Sequence, residues 1–167
     1  MRFIGFLFFV LVIGSCVLLF VSYSRLAKLH INLQELQKSL LPHIEKIAAF
    51  LSTMQDTAKD ELAKQRFADT AQQYTEAETT NEKIACYNQF IEITNDNLLD
   101  LPKDAAKDMQ ATLAQRRYYN HETKRFNALL HLFPSNLFGK LLSYGEQPLF
   151  TLLLDEQAGE HADVSWK

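Results

Sequence analysis

The chain has 167 residues, a length suited to one domain plus a small appendage, and 47% of them are hydrophobic, enough to build a core. Setting Arg2 aside leaves 16 basic residues against 20 acidic ones, a net charge of −4, and no run of basic residues stands out. That balance argues against a nucleic-acid partner.

The apolar residues are concentrated at the start. From Phe3 to Val21 there is no charge and no proline, and Arg2 stands on one side with Arg25 and Lys28 on the other. A helix of that length rises about 28 Å, close to the hydrocarbon thickness of a bilayer. A cleaved signal peptide fits poorly, because the n-region is a single Arg, no A-x-A-like site follows, and the run outlasts a usual h-region. Ile13-Gly14-Ser15-Cys16 has the small residues that lipid attachment at Cys16 needs, yet Val17 to Val21 would leave a greasy run after the acylated residue. The reading taken is one transmembrane anchor over residues 1–23. Arg25, Lys28 and Lys38 behind it, against Arg2 before it, lean toward a cytoplasmic C-terminal domain at the cell membrane. Cys86 carries no redox information, since its one possible partner in the chain, Cys16, lies in that span.

Beyond the span, glycine is absent between Gly14 and Gly139, and the prolines there are Pro42, Pro102 and Pro134. A β-rich domain needs turn residues at much closer spacing, so the expectation is an all-α domain. Leu26, Leu29, Leu33, Leu36, Leu40, Ile44, Ile47, Leu51 and Met54 recur at steps of three and four, which predicts a first helix continuing out of the span, kinked at Pro42. Ala58, Leu62, Phe67, Ala71 and Tyr74 carry a weaker pattern through a separate second helix. Thr79-x-x-Glu82 is a capping-box pattern opening a third helix on Ile84, Tyr87, Ile91, Thr94 and Leu98. Asn95, Asn97 and Asp100 before Leu101-Pro102 read as a break, and a fourth helix runs to about Phe133. Together these predict an N-terminal transmembrane helix followed by an antiparallel up-down four-helix bundle of long helices. The apolar run Leu149 to Leu154 is expected to pack across that bundle, with a solvated tail behind it from Asp155. The expected domain boundaries are 1–23 for the anchor, 24–150 for the bundle and 151–167 for the tail.

A search for chemistry returns little. His30, His43, His121, His131 and His161 form no H-E-x-x-H pattern, and His121 and Glu122 are expected on different sides of their helix. Gly-rich phosphate loops and nucleophile elbows are missing from the central chain. Cys86 in a helical pattern reads as a small core residue, and Glu76, Glu78 and Glu82 as a solvated helix end. Residues 101–133 hold Lys103, Lys107, Arg116, Arg117, Lys124 and Arg125 against Asp104, Asp108 and Glu122, a local excess of basic charge. It is expected to pair with the acidic second and third helices. No catalytic, cofactor-binding or metal-binding residue is assigned, and no small-molecule substrate is evident.

The stretch from Arg116 to Asn136 is the most patterned part of the chain. Asn120 and Asn127 lie seven apart, each after an aromatic, Tyr119 and Phe126, so both pairs fall on one helix face. On a buried seam their amides would need partners and would fix helix register. Phe133-Pro134 ends the helix, and Ser135 or Asn136 is expected to cap a short one after it. The order Arg116-x-x-Tyr119-Asn120, Phe126-Asn127 and Phe133-Pro134-Ser135-Asn136, followed by Tyr144-Gly145 and Pro148-Leu149-Phe150, resembles the C-terminal signature of the LemA family. The early Leu41-Pro42 step fits the same family, while Leu40-Leu41-Pro42-His43, the shorter middle and Leu101-Pro102 depart from it, as in a divergent member. The resemblance implies a helical domain on a membrane tether, no established catalytic activity, and a structural or docking role for the nine signature residues. The function expected on these grounds is a membrane-anchored interaction or scaffold protein with a protein partner or a homo-oligomeric state. The alternative is an accessory or regulatory subunit of a membrane-associated enzyme such as a protease.

Overall fold

The computed structural model describes residues 2–54, 58, 60–97, 99, 101 and 103–154. Their regular structure is helical: α1 (Arg2–Thr53), α2 (Glu61–Glu76), α3 (Thr80–Asp96), α4 (Lys103–His131) and α5 (Ser135–Leu141). The chain divides into two compact units, one formed by Met1–Glu35 with His121–Gln147 and the other by Leu36–Asn120 with Pro148–Lys167. Leu98, Pro102 and the expected tail from Asp155 lie outside the described residues.

α1 is a single helix of 52 residues that runs through Pro42 and includes a stretch long and apolar enough to cross a membrane. Side chains from Phe6 to Val21 are exposed, whereas Leu26 and Leu33 further along the same helix are buried. The change follows the sequence, because the three-and-four spacing of Leu begins only at Leu26. In the second unit the same pattern continues with Leu40, Ile44, Ile47 and Leu51 buried. α2 separates from α1, as its weaker pattern predicts, with the Asp60 side chain accepting from the Leu62 amide as N-cap. Its buried face differs from the expected one by a single step. Ala63, Phe67 and Thr70 point inward and Leu62 is exposed, so Phe67 was read correctly and Leu62 was not.

α3 begins with a complete capping box. The Glu82 amide donates to the Thr79 hydroxyl at 3.2 Å, and Glu82 Oε2 accepts from the Thr79 amide at 2.8 Å. Hydrogen bonding of the carboxylate, first by the Thr79 amide, then by the Thr79 hydroxyl and the Glu78 amide, holds the Glu82 carboxyl below its usual range. Ile84, Tyr87, Phe90, Ile91 and Thr94 form the buried face, and Phe90 stacks on Phe67 of α2 with ring centroids 6.2 Å apart. Cys86 is buried in the same layer, where desolvation, with Glu82 nearby, pushes its thiol up. Tyr74, at the far end of α2, is pushed up to about 12, first by burial and then by Glu45 and Cys86.

Some charge pairs of α4 lie outside the acidic second and third helices. Arg125 bonds Glu122 of its own helix at 2.9 Å, and Lys46 of α1 reaches Asp108 of α4. Asp96 of α3 meets Arg66 of α2 at 3.4 Å, and Lys83 of α3 meets Glu45 of α1 at 2.9 Å. His121 and Glu122, expected on different sides of the helix, bring Nε2 and Oε1 within 3.8 Å because both side chains can bend toward the same turn.

Asparagine clamps on the C-terminal segment

The chain from Gln147 to Leu154 leaves the helices, and four asparagine side chains grip its peptide groups. In the larger unit, Asn120 of α4 donates from Nδ2 to the Phe150 carbonyl at 2.8 Å and accepts from the Phe150 amide at 2.7 Å. Asn88 of α3 does the same one peptide group to either side, donating to Leu149 O at 2.6 Å and accepting from Thr151 N at 2.7 Å. Around Phe150 the chain is extended, with the N–H and C=O of that residue toward α4 and the flanking groups toward α3. Asn95 repeats the Asn88 arrangement further on, with Leu152 O at 3.3 Å and Leu154 N at 3.2 Å. The three-residue repeat of the partners along α3 is that of a polyproline-II-like chain.

The spacing has a simple origin. Seven residues of α-helix rise about 10.5 Å, and three residues of extended chain cover about 9–10 Å, so two helical turns keep step with three residues of the segment. Asn88 to Asn95 on α3 matches the step from Leu149 and Thr151 to Leu152 and Leu154, and the segment runs in the direction of α3. An amide side chain offers one donor and one acceptor in a plane, which is what a peptide group in an extended chain presents in return.

Side chains fix the register of this segment. Phe150 is buried with its ring 5.0 Å from Tyr119 and 5.7 Å from Tyr87, both edge-on. The Tyr119 hydroxyl accepts from Gln37 Nε2 at 2.9 Å. Beneath them Arg116 is buried, its guanidinium donating to the Tyr87 hydroxyl at 3.1 Å and to the Met109 carbonyl at 2.8 Å. Leu152 and Leu153 are also buried, so the apolar run packs within this unit.

In the other unit, Asn127 makes the same two-bond clamp on Gln147, donating to its carbonyl and accepting from its amide, each at 2.9 Å. Phe126, the aromatic before it, is buried beside His30 of α1, whose ring stacks on Tyr144 at 4.0 Å. Burial holds the His30 imidazole below its ordinary 6.5, and Gln34 Nε2 lies 3.1 Å from its Nε2.

The nine signature residues are divided between the two units. Arg116, Tyr119 and Asn120 serve the larger unit; Phe126, Asn127, Phe133, Pro134, Ser135 and Asn136 belong to the other. Asn120 and Asn127 are half-buried and face the backbone of the C-terminal segment, where a seam between helices was expected. Pro134 is the N-cap of α5 and no side chain caps that helix, so Ser135, which is buried, lacks the expected capping role. The Asn136 amide donates to Leu132 O at 2.8 Å. Phe133 is exposed.

Sequence reasoning missed Asn88 and Asn95. Asn95 was assigned to a break, yet α3 continues to Asp96 and its C-cap is Asn97. The signal was present, since Asn88 and Asn95 are seven apart on one helix just as Asn120 and Asn127 are on another. Among the described residues, no group of three or more His, Cys, Asp and Glu side chains is placed to hold a metal ion. What the clamps can do is mechanical: they hold an extended segment against two helices through its peptide groups.

A model described as the LemA family matches residues 19–166, and the chain belongs to that family. No curated protein and no solved structure matches it.

Proposed function

We propose that this LemA-family protein is a membrane-anchored helical interaction or scaffold protein with no catalytic activity of its own. The observation that carries the reading is α1, which runs unbroken from the exposed apolar stretch at Phe6–Val21 into the buried pattern from Leu26 onward. A helix that leaves lipid without a break carries the smaller unit, packed on Leu26 and Leu33, at the membrane surface, which suits a body that displays a face to another membrane protein. The single span lies in the cell membrane with the domain on the cytoplasmic side, a placement supported by Arg25, Lys28 and Lys38 against Arg2.

Within the larger unit we read α1, α2, α3 and α4 as an up-down bundle. Supporting contacts pair Gln37 with Tyr119 and Lys46 with Asp108 along α1 and α4, and Arg66 with Asp96 and Thr70 with Gln89 along α2 and α3. In both series the residue numbers run in opposite senses.

The test is cross-linking of the full-length protein in its native membrane, followed by mass spectrometry. One recurrent membrane-protein partner is the expected result. An active hydrolase as that partner would move the assignment to an accessory subunit, and self-cross-links alone would overturn partner docking in favour of a homo-oligomer.

A further inference from the structure

The smaller unit carries an apolar surface that its own packing leaves uncovered. Leu132, Phe133, Leu137 and Leu141, in α5 and the turn before it, are exposed, Phe133 at 77% and Leu141 at 78%. Soluble monomers seldom leave large side chains this open side by side. From Leu132 to Gly145 the chain contains no acid, and Lys140 is its one charge. The position of this surface relative to α1 is fixed by Phe138 of α5, whose ring meets Tyr23 edge-on at 5.6 Å. Tyr23 lies two residues past the last apolar residue of the Phe3–Val21 run and two before Arg25. In a membrane helix that is the level of the headgroups, where Tyr rings collect.

We propose that α5 and the preceding turn, residues 132–142, form a second membrane contact that lies in the lipid interface beside the α1 span. The inference rests on the reading of α1 as the anchor. Given that anchor, Tyr23 sets the depth, and α5 meets the bilayer at the same depth through the Phe138 contact. Leu132, Phe133, Leu137 and Leu141 then enter the boundary between headgroups and acyl chains, as the apolar face of an interfacial helix does to a depth of about 5–10 Å. Lys140 has the flexible stem to keep its ammonium among the phosphates. A bilayer suits this surface better than a second protein does, because Phe138 sets α5 beside Tyr23, two residues past the exposed apolar stretch of α1, and residues 132–145 lack any acid that phosphates would repel.

Fluorescence in full-length protein reconstituted into zwitterionic vesicles tests the proposal. Trp166, the sole tryptophan, is replaced by Phe, and single tryptophans are introduced as Phe133→Trp, Leu141→Trp and, within the span, Phe9→Trp. The exposure of Phe133 and Leu141 means that the new indoles disturb no core. The expected result is blue-shifted emission at 133 and 141, strong loss of fluorescence with lipids brominated high on the acyl chain, and shielding from aqueous iodide. Position 9 should respond to deeper bromines. Free quenching by iodide at 133 and 141, with position 9 in lipid, would overturn the second contact and leave the anchor standing. Shielding from both quenchers would place protein on the face and overturn it equally. Failure of lipid bromines at position 9 would overturn the anchor and this inference together.

Discussion

Asn120→Leu removes one clamp while keeping the branching and the number of heavy atoms of the side chain, and Leu is the better helix former of the two. The amide contributes two hydrogen bonds to Phe150, at 2.8 and 2.7 Å. At a net of about 1 kcal/mol each, their loss costs about 2 kcal/mol locally, and more to the extent that the Phe150 peptide group is kept from water. The Phe150 ring keeps its contacts with Tyr87 and Tyr119, so the segment stays anchored and the effect is one of local opening. An opening made easier by about 2 kcal/mol raises the opening constant about 30-fold. Amide hydrogen exchange of the full-length protein in nanodiscs reads this directly, because the Phe150 amide is the group released. Exchange at Phe150 should quicken by about that factor, with a smaller change at Thr151, which Asn88 still holds. Asn120→Asp adds a check on sign. Its carboxylate would set an oxygen against the Phe150 carbonyl, so the protonated form is favoured in the fold and the folded pKa is raised. The clamp is then intact below the unfolded value of about 3.9 and is lost as pH rises through the folded one. An unchanged exchange rate at Phe150 in Asn120→Leu would refute the clamp as an energetic feature.

Three further expectations can be measured by chemical denaturation. A Cβ on Gly139 would sit 2.7 Å from Leu130 Cδ2, so that side chain must shift and Gly139→Ala should bring less in the parent than the gain of about 1 kcal/mol expected from helix propensity alone. That gain should appear when the same change is made in Leu130→Ala. His30 is held neutral by burial, with a folded pKa below 6.5; stability should be full above 6.5 and decline as pH falls through the folded value. His30→Phe should remove that slope while keeping the stack on Tyr144. Thr79→Ala should cost about 1 kcal/mol as a lost N-cap. The Glu82 carboxyl, held low by Thr79, supports the fold above its unfolded pKa and releases it as pH falls, so Glu82→Gln should flatten the acid limb of the parent.

Much of the fold could be read in advance because helices advertise themselves locally. The Leu series of α1, the empty stretch between Gly14 and Gly139, and Thr79 with Glu82 each state their structure within a few residues. Where the reading slipped, the deciding partner was distant. Leu62 lost its inward place to Ala63 because the face that meets α3 is set by Phe67 against Phe90 and leaves Leu62 on the outer side. Asn95 looked like a helix breaker, since Asn is common at turns, and only the segment at Leu152 and Leu154 reveals why it sits inside α3. The clamps were hard to foresee for a physical reason. Each amide bonds peptide groups, which every residue carries, so no complementary side chain in the segment marks the pairing.

The same property sets how this chain can drift. A grip on peptide groups is indifferent to the letters that occupy them, so positions of the segment outside the buried Phe150, Leu152 and Leu153 are free to mutate while Asn88, Asn95, Asn120 and Asn127 are not. Proline is the telling exception, because it abolishes the N–H that a clamp accepts. Pro148 stands between Gln147 and Leu149, where none of the four clamps draws on the amide of residue 148, and it steers Gln147 toward extended backbone. A proline moved to Phe150 or Thr151 would strike a clamped amide. Across descendants of this sequence, the rule to look for is therefore a forbidden letter at the clamped amides, with the rest of the alphabet restricted only where the side chain is buried.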